Sequence, residues 1–239
     1  MDVAISSALF AATCLVITLV ALSADKRITA ITAAATALYL GLDDFITGLP
    51  HLIPALDFLG GHWNWSGKVL SLALSVLVIV TLRLSPDSLG LRFKQEHPKL
   101  AWISLIGFIA WGSILGAVFK PGTANLETLA FQATMPGLAE EIVYRGIAPA
   151  LLLGLVNYKP HVKDIPWAVI FATSLMFGVW HSLSFSKGSV SFEAMSGLFP
   201  MIGSVAGGWL RFKTKSLLIP ILGHSLANVA FHVAGGLGA

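Results

Sequence analysis

Charge is what this chain of 239 residues has least of: Asp, Glu, Lys and Arg make up 11% of it and apolar residues 56%. Soluble domains carry about a quarter charged residues. So little charge, with a mean hydropathy of +0.81, excludes a cytosolic enzyme, a disordered tail and a nucleic-acid binder. Cysteine is nearly absent. Cys14 stands alone inside the first apolar stretch, which excludes a disulfide framework and a cysteine-built metal centre, and it is expected to be a small apolar residue in lipid. No basic segment precedes that stretch, which begins after Met1-Asp2 and is followed by Lys26 and Arg27, so it lacks the pattern of a cleaved signal and is expected to remain in the mature protein. Repeats, low-complexity runs and long polar linkers are also missing, and residues 1–239 are read as one integral membrane domain.

Apolar stretches fill the chain instead, at roughly 3–23, 28–42, 68–84, 99–119, 126–150, 165–186, 193–212 and 216–237. Most approach the ~20 residues that cross hydrocarbon, and together they predict an all-α, polytopic bundle of about eight transmembrane helices. Between the short second and third stretches, Pro50, Pro54, Gly60 and Gly61 are expected to break any long helix. Asp43, Asp44, His51, Asp57 and His62 in that segment read as a solvated connection rather than a cation site.

The net charge of +3 is spread over alternate breaks: Lys26 and Arg27; Arg83, Arg92, Lys94 and Lys99; Lys159 and Lys163; Arg211, Lys213 and Lys215. The other breaks hold Lys68, Lys120 and Lys187. Bases accumulate on the cytoplasmic side, so the basic balance reports topology and not an acidic partner. Both termini are expected outside the cytoplasm, in what reads as a prokaryotic plasma membrane. Gly112-xxx-Gly116 and Gly203-xxx-Gly207 predict close helix packing. Tyr39, Trp63, Trp65 and Trp167, near span ends, are expected to anchor at the interface.

Ionisable groups inside spans are the informative ones, because each costs about 2.5–3.5 kcal/mol on insertion scales. In the fifth stretch Glu140 and Glu141 are adjacent, and Arg145 lies four residues beyond Glu141 on its helical face. That pair neutralises itself and leaves Glu140, about 100° around the helix, without a local cation and free to face a cavity. The sixth stretch carries Phe177 and His181, and the eighth His224 and Asn228, each pair at i, i+4. His232 continues the last stripe and is read as packing. One polar helix can be interhelical glue. Three with complementary groups suit peptide hydrolysis: a carboxylate to take a proton from water, an imidazole to share it, and an imidazole with an amide for an oxyanion. One carboxylate and two imidazoles, Glu140, His181 and His224, would equally fit a catalytic zinc with an open position, although the HExxH helix of many zinc proteases is absent.

Glu140-Glu141-xxx-Arg145, Phe177-xxx-His181 and His224-xxx-Asn228, in this order and each on its own apolar helix, resemble the EExxxR, FxxxH and HxxxN motifs of the CPBP intramembrane proteases. That family includes type II CAAX prenyl endopeptidases and bacterial bacteriocin-processing or Abi proteins. The resemblance covers about residues 126–232, expected to be the catalytic core. It implies an endopeptidase cleaving a membrane-associated protein or peptide, in which Glu140 and His181 activate water and His224 and Asn228 stabilise the oxyanion. Glu141, Arg145 and Phe177 would support the site. No cofactor is expected, although zinc would use the same residues, and Asn228 suits an oxyanion better than a metal. Intramembrane Glu, His and Arg can also form an ion pathway, and a non-catalytic immunity or scaffold protein could keep the fold. The chain shows no paired halves with interrupted helices of the kind many transporters have, and its motif residues are intact.

Overall fold

The computed structural model describes residues 1–155 and 164–237, so Lys159 and Lys163 lie outside the described residues. Each apolar stretch is helical. Helix α1 (Asp2–Ala24) is followed by α2 (Ala30–Leu52), α3 (Trp65–Thr81), the single turn α4 (Pro86–Leu89) and α5 (Pro98–Phe119). Helix α6 (Leu126–Glu141) runs through a π-helical segment, Ile142–Ile147, into α7 (Ala148–Leu152). Then come α8 (Trp167–Ser182), a hairpin of β1 (Leu183–Ser186) and β2 (Ser189–Phe192), α9 (Ala194–Thr214) and α10 (Leu218–Gly236). Helices α1, α5 and α10 are long and apolar enough to cross a membrane. This is an all-α membrane-type architecture.

The main core joins α1, α2, α7 and α8 through Phe10, Leu40, Leu152 and Met176. Cys14 sits in it, fully buried, and not in lipid as expected. Helix α10 is clasped between α5 and α6. A Cβ on Gly112 would strike the Ala227 carbonyl and one on Gly116 the Phe231 carbonyl, while one on Gly137 would come within 2.7 Å of the Ile221 carbonyl. The first glycine pair thus packs backbones as expected. The second does not: Gly203 has nothing within 4 Å of its Cβ position, and both Gly203 and Gly207 line a cavity.

The structure corrects four further expectations. Helix α2 continues ten residues past the stretch that ends at 42, through Pro50 in its last turn, so Asp43 and Asp44 are helical and not in a solvated loop. Asp43 is buried and accepts from Ser71 Oγ (2.6 Å); the Asp44 carboxylate takes Ser7 Oγ (2.6 Å) and Trp180 Nε1 (2.7 Å). Tyr39 is buried mid-helix against Ser75 (3.1 Å), not at an interface, and Trp63 and Trp65 pack on Phe131. The sixth span ends at Ser182, where a Ser-rich hairpin turns through Lys187 and Gly188, both at positive φ (52° and 79°) as a two-residue hairpin turn requires. Arg211 is no loop charge: it is buried, donates to the Ser88 carbonyl and lies 4.3 Å over the Phe212 ring, pinning α4 to α9.

Opposite ends of the bundle are tied separately. At one, Glu96 N donates to the Thr214 carbonyl (2.9 Å) and Leu217 N to that of Gly90 (2.8 Å). There the Lys215 ammonium, 2.9 Å from Glu96, holds that carboxyl below its ordinary range. At the other, Lys187 N donates to Asp2 (3.0 Å) and His62 N to Glu127 (2.7 Å).

The α5–α10 contact yields a paired prediction. Gly112→Ala should destabilise the detergent-solubilised protein by about 1–3 kcal/mol, the usual cost of overpacking. Gly107→Ala, on the open side of α5 with no neighbour within 4 Å, should leave the midpoint of thermal unfolding unchanged or slightly raised. Equal midpoints for the two variants would contradict the packing.

Candidate active site

The residues singled out by the motifs meet at one cavity. It measures about 840 Å³, and Glu140, Glu141, Arg145, Phe177, His181, His224, Asn228 and His232 all line it. Three helices bring them there, α6 with its π-helical continuation, α8 and α10. The two glutamates end the regular part of α6, and the π segment starts at the next residue. Pro149, just beyond, lacks the N–H that a regular helix would direct at the Arg145 carbonyl, and the wider turn accommodates the mismatch upstream. Such π turns recur at functional sites. His181 reaches the cavity from the last turn of α8, and His224 and Asn228 from the middle of α10.

Within the cavity the groups form a network of alternating charge. Glu141 Oε1 accepts from His224 Nδ1 at 2.8 Å and lies 3.1 Å from an Arg145 guanidinium nitrogen. Arg145 in turn lies 4.4 Å over the face of Phe177, a cation–π contact in a desolvated setting. The expected Glu141–Arg145 pair therefore forms, with a histidine as third member. Phe177 also meets the His181 ring edge to face (4.5 Å between centroids) and accepts from His181 Nδ1 through its own carbonyl (2.9 Å). A carbonyl can only accept, so Nδ1 carries the proton and the neutral ring presents Nε2 as an acceptor. Asn228 Nδ2 donates one hydrogen to Gln132 Oε1 (2.9 Å) and keeps a second.

Glu140 is not without a cation. Lys68, near the start of α3, places its ammonium 2.7 Å from Glu140 Oε1, with both side chains about nine-tenths buried. Lys68 also lies 4.7 Å over the Trp180 ring, which is T-shaped to His181 (4.8 Å) and held by Asp44. Neither Lys68 nor Asp44 belongs to a motif, and Lys68 was expected among the bases of a connection. The available signal is periodicity: Lys68, Ser71 and Ser75 share one face of α3, and Tyr39, Asp43 and Thr47 one face of α2. Glu140 Oε2 stands 3.8 Å from His224 Nε2, too long for a direct bond, and both atoms can reach one shared oxygen between them.

Zinc on Glu140, His181 and His224 fits this arrangement poorly. Among the described residues no three His, Cys, Asp or Glu side chains gather into a metal-binding cluster. One oxygen of Glu140 is taken by the Lys68 ammonium, whose charge opposes a metal cation beside it.

Fold and site together define an integral membrane protein with a polar, ionisable centre inside its helical bundle. Residues 121–230 match the family described as type II CAAX prenyl endopeptidase Rce1-like, a family of proteases. That segment carries all three motifs, and the match agrees with the CPBP resemblance read from them. No curated protein and no solved structure matches the chain.

The Lys68–Glu140 contact yields a stability prediction. Removing one member of a buried ion pair costs about 3–5 kcal/mol because the other charge is left uncompensated. Lys68→Met should therefore destabilise the protein strongly, and adding Glu140→Gln to it should recover much of the loss. Additive losses in denaturant unfolding would mean that the two side chains do not interact.

Proposed function

We propose that the protein is an intramembrane endopeptidase that hydrolyses a peptide bond of a membrane-associated protein or peptide with glutamate-activated water. The observation that carries this reading is the convergence of Glu140, His181, His224 and Asn228 on one cavity. Lys68 keeps Glu140 Oε1 fixed, and Oε2 is the basic atom. Water bound there gives one proton to Glu140 while its oxygen adds to the substrate carbonyl carbon. His181 Nε2 shares that proton. The carbonyl oxygen becomes an oxyanion, received by the free hydrogen of Asn228 Nδ2 and by His224. With both nitrogens protonated, His224 donates from Nδ1 to Glu141 and from Nε2 to the oxyanion. When the intermediate collapses, the carbon–nitrogen bond breaks and the amine leaves with the proton held by Glu140.

Glu141 and Arg145 are positioning residues in this scheme: they orient the His224 ring and carry no bond change. No metal takes part in it, a reading supported by the ammonium on Glu140. An ion-pathway function has no comparable support, because the two cavity glutamates, Glu140 and Glu141, are held at fixed contact by Lys68, and by Arg145 and His224.

Measured per molecule of inserted protein, since Glu140→Gln also leaves the buried Lys68 uncompensated, Glu140→Gln, His181→Ala and His224→Ala should each lower proteolysis at least about 100-fold, the scale of acid–base and oxyanion contributions. Full activity in any of them would remove that residue from the scheme. Chelators should leave cleavage intact; loss on metal removal, restored by added zinc, would overturn the metal-free reading.

A further inference from the structure

The cavity has a direction along the bundle. Its lining is buried at one end, at Arg145, Gly207 and Pro220, and at the outer end runs through Thr47, Trp63, His232 and the exposed Phe119 and Met195. Those outer residues stand at the ends of α2, α5 and α10 and at the beginnings of α3 and α9. All belong to the end of the bundle that holds Asp2, the Glu127-bound connection and the β-hairpin.

Bases crowd the opposite end. Lys26 and Arg27 lie between α1 and α2, Arg92 and Lys94 before α5, and Lys213 and Lys215 where α9 finishes. At the cavity end the exposed bases among the described residues are Lys120 and Lys187 alone, since Lys68 is buried against Glu140. Moving Lys68 and Arg211 from the connections to the interior leaves this asymmetry in place. Lys and Arg near span ends mark the cytoplasmic side. We infer that the cavity opens on the non-cytoplasmic face, and that the substrate is an exported or membrane-anchored polypeptide offered from that face, not a lipid-modified C-terminus offered from the cytoplasm. The substrate half of this inference rests on the proposed endopeptidase; the orientation does not.

Cysteine accessibility tests the orientation without any assay of activity, and the buried Cys14 of the unaltered protein serves as the unlabelled control. His62→Cys and Ser189→Cys lie in two separate connections at the cavity end, and Leu91→Cys and Phe93→Cys at the other; all four side chains are exposed. In intact cells a membrane-impermeant maleimide should label the first two to the level reached after permeabilisation, and the second two only after permeabilisation. The reverse pattern, or labelling of all four in intact cells, overturns the orientation. N- and C-terminal peptides of the membrane and secreted proteomes, compared between cells expressing the protein and Glu140→Gln at equal levels, then test the substrate. Glu140-dependent termini should fall in non-cytoplasmic segments. Termini in cytoplasmic segments would overturn the substrate class while leaving a protease, and no Glu140-dependent termini would overturn the protease reading while leaving the orientation.

Discussion

Two adjacent carboxylates inside a lipid-embedded bundle need permanent positive charge beside them, and the pairing of Glu140 with Lys68 and of Glu141 with Arg145 is the constraint on which the rest of this structure depends. Each pair fixes more than charge. Lys68 ties α3 to α6 at 2.7 Å. Glu141 ties α6 to α10 through His224 at 2.8 Å, where Gly137 lets the two backbones come close. Arg145 spreads over Phe177 and so touches α8. Charged groups in a low-dielectric setting are costly alone and strongly directional when paired, so the three helices that carry the reactive groups, and α3 with its cation, are registered by the same contacts that make those groups tolerable.

A second layer of polar contacts supports the first. Ser7 and Asp44 hold the Trp180 indole, and that ring touches both Lys68 and His181. Asp43 and Ser71 join α2 to α3 one turn from Lys68. The half of the chain without recognisable motifs thus supplies the cation and the brace for a site whose motif residues all lie in the other half. Part of the cavity wall is aromatic, with Trp111 and Phe119 both packed on Phe199, which suits an extended chain with apolar side chains.

Much of this was legible in the sequence, for physical reasons. Hydrocarbon demands long apolar helices, so each apolar stretch is helical over most of its length, and the cost of burying ionisable groups made Glu140, Glu141, His181 and His224 conspicuous in apolar runs. What escaped the reading depended on context. Lys68 stands at the edge of its stretch, where a base ordinarily reaches water, and only its partner 72 residues away identifies it as interior. Asp43 and Asp44 looked like loop residues because Pro50 was expected to end a helix, yet a proline in the last turn of α2 is tolerated. Gly203 and Gly207 carry the spacing of a packing motif, but Gly203 faces open space and Gly207 the side chains of Arg145 and Glu141, and spacing alone cannot say whether a second helix backbone is there.

The central claim is that a water molecule activated by Glu140 attacks the substrate directly, with no covalent bond between substrate and enzyme. A single turnover in water enriched with heavy oxygen, using a peptide that contains a Glu140-dependent cleavage site and protein in excess, tests this directly by mass spectrometry. The account predicts that the heavy isotope enters the new carboxyl group of the peptide and leaves the Glu140 carboxylate unlabelled. Heavy oxygen in Glu140, with an unlabelled peptide carboxyl after the first turnover, would show a covalent glutamyl intermediate and contradict it.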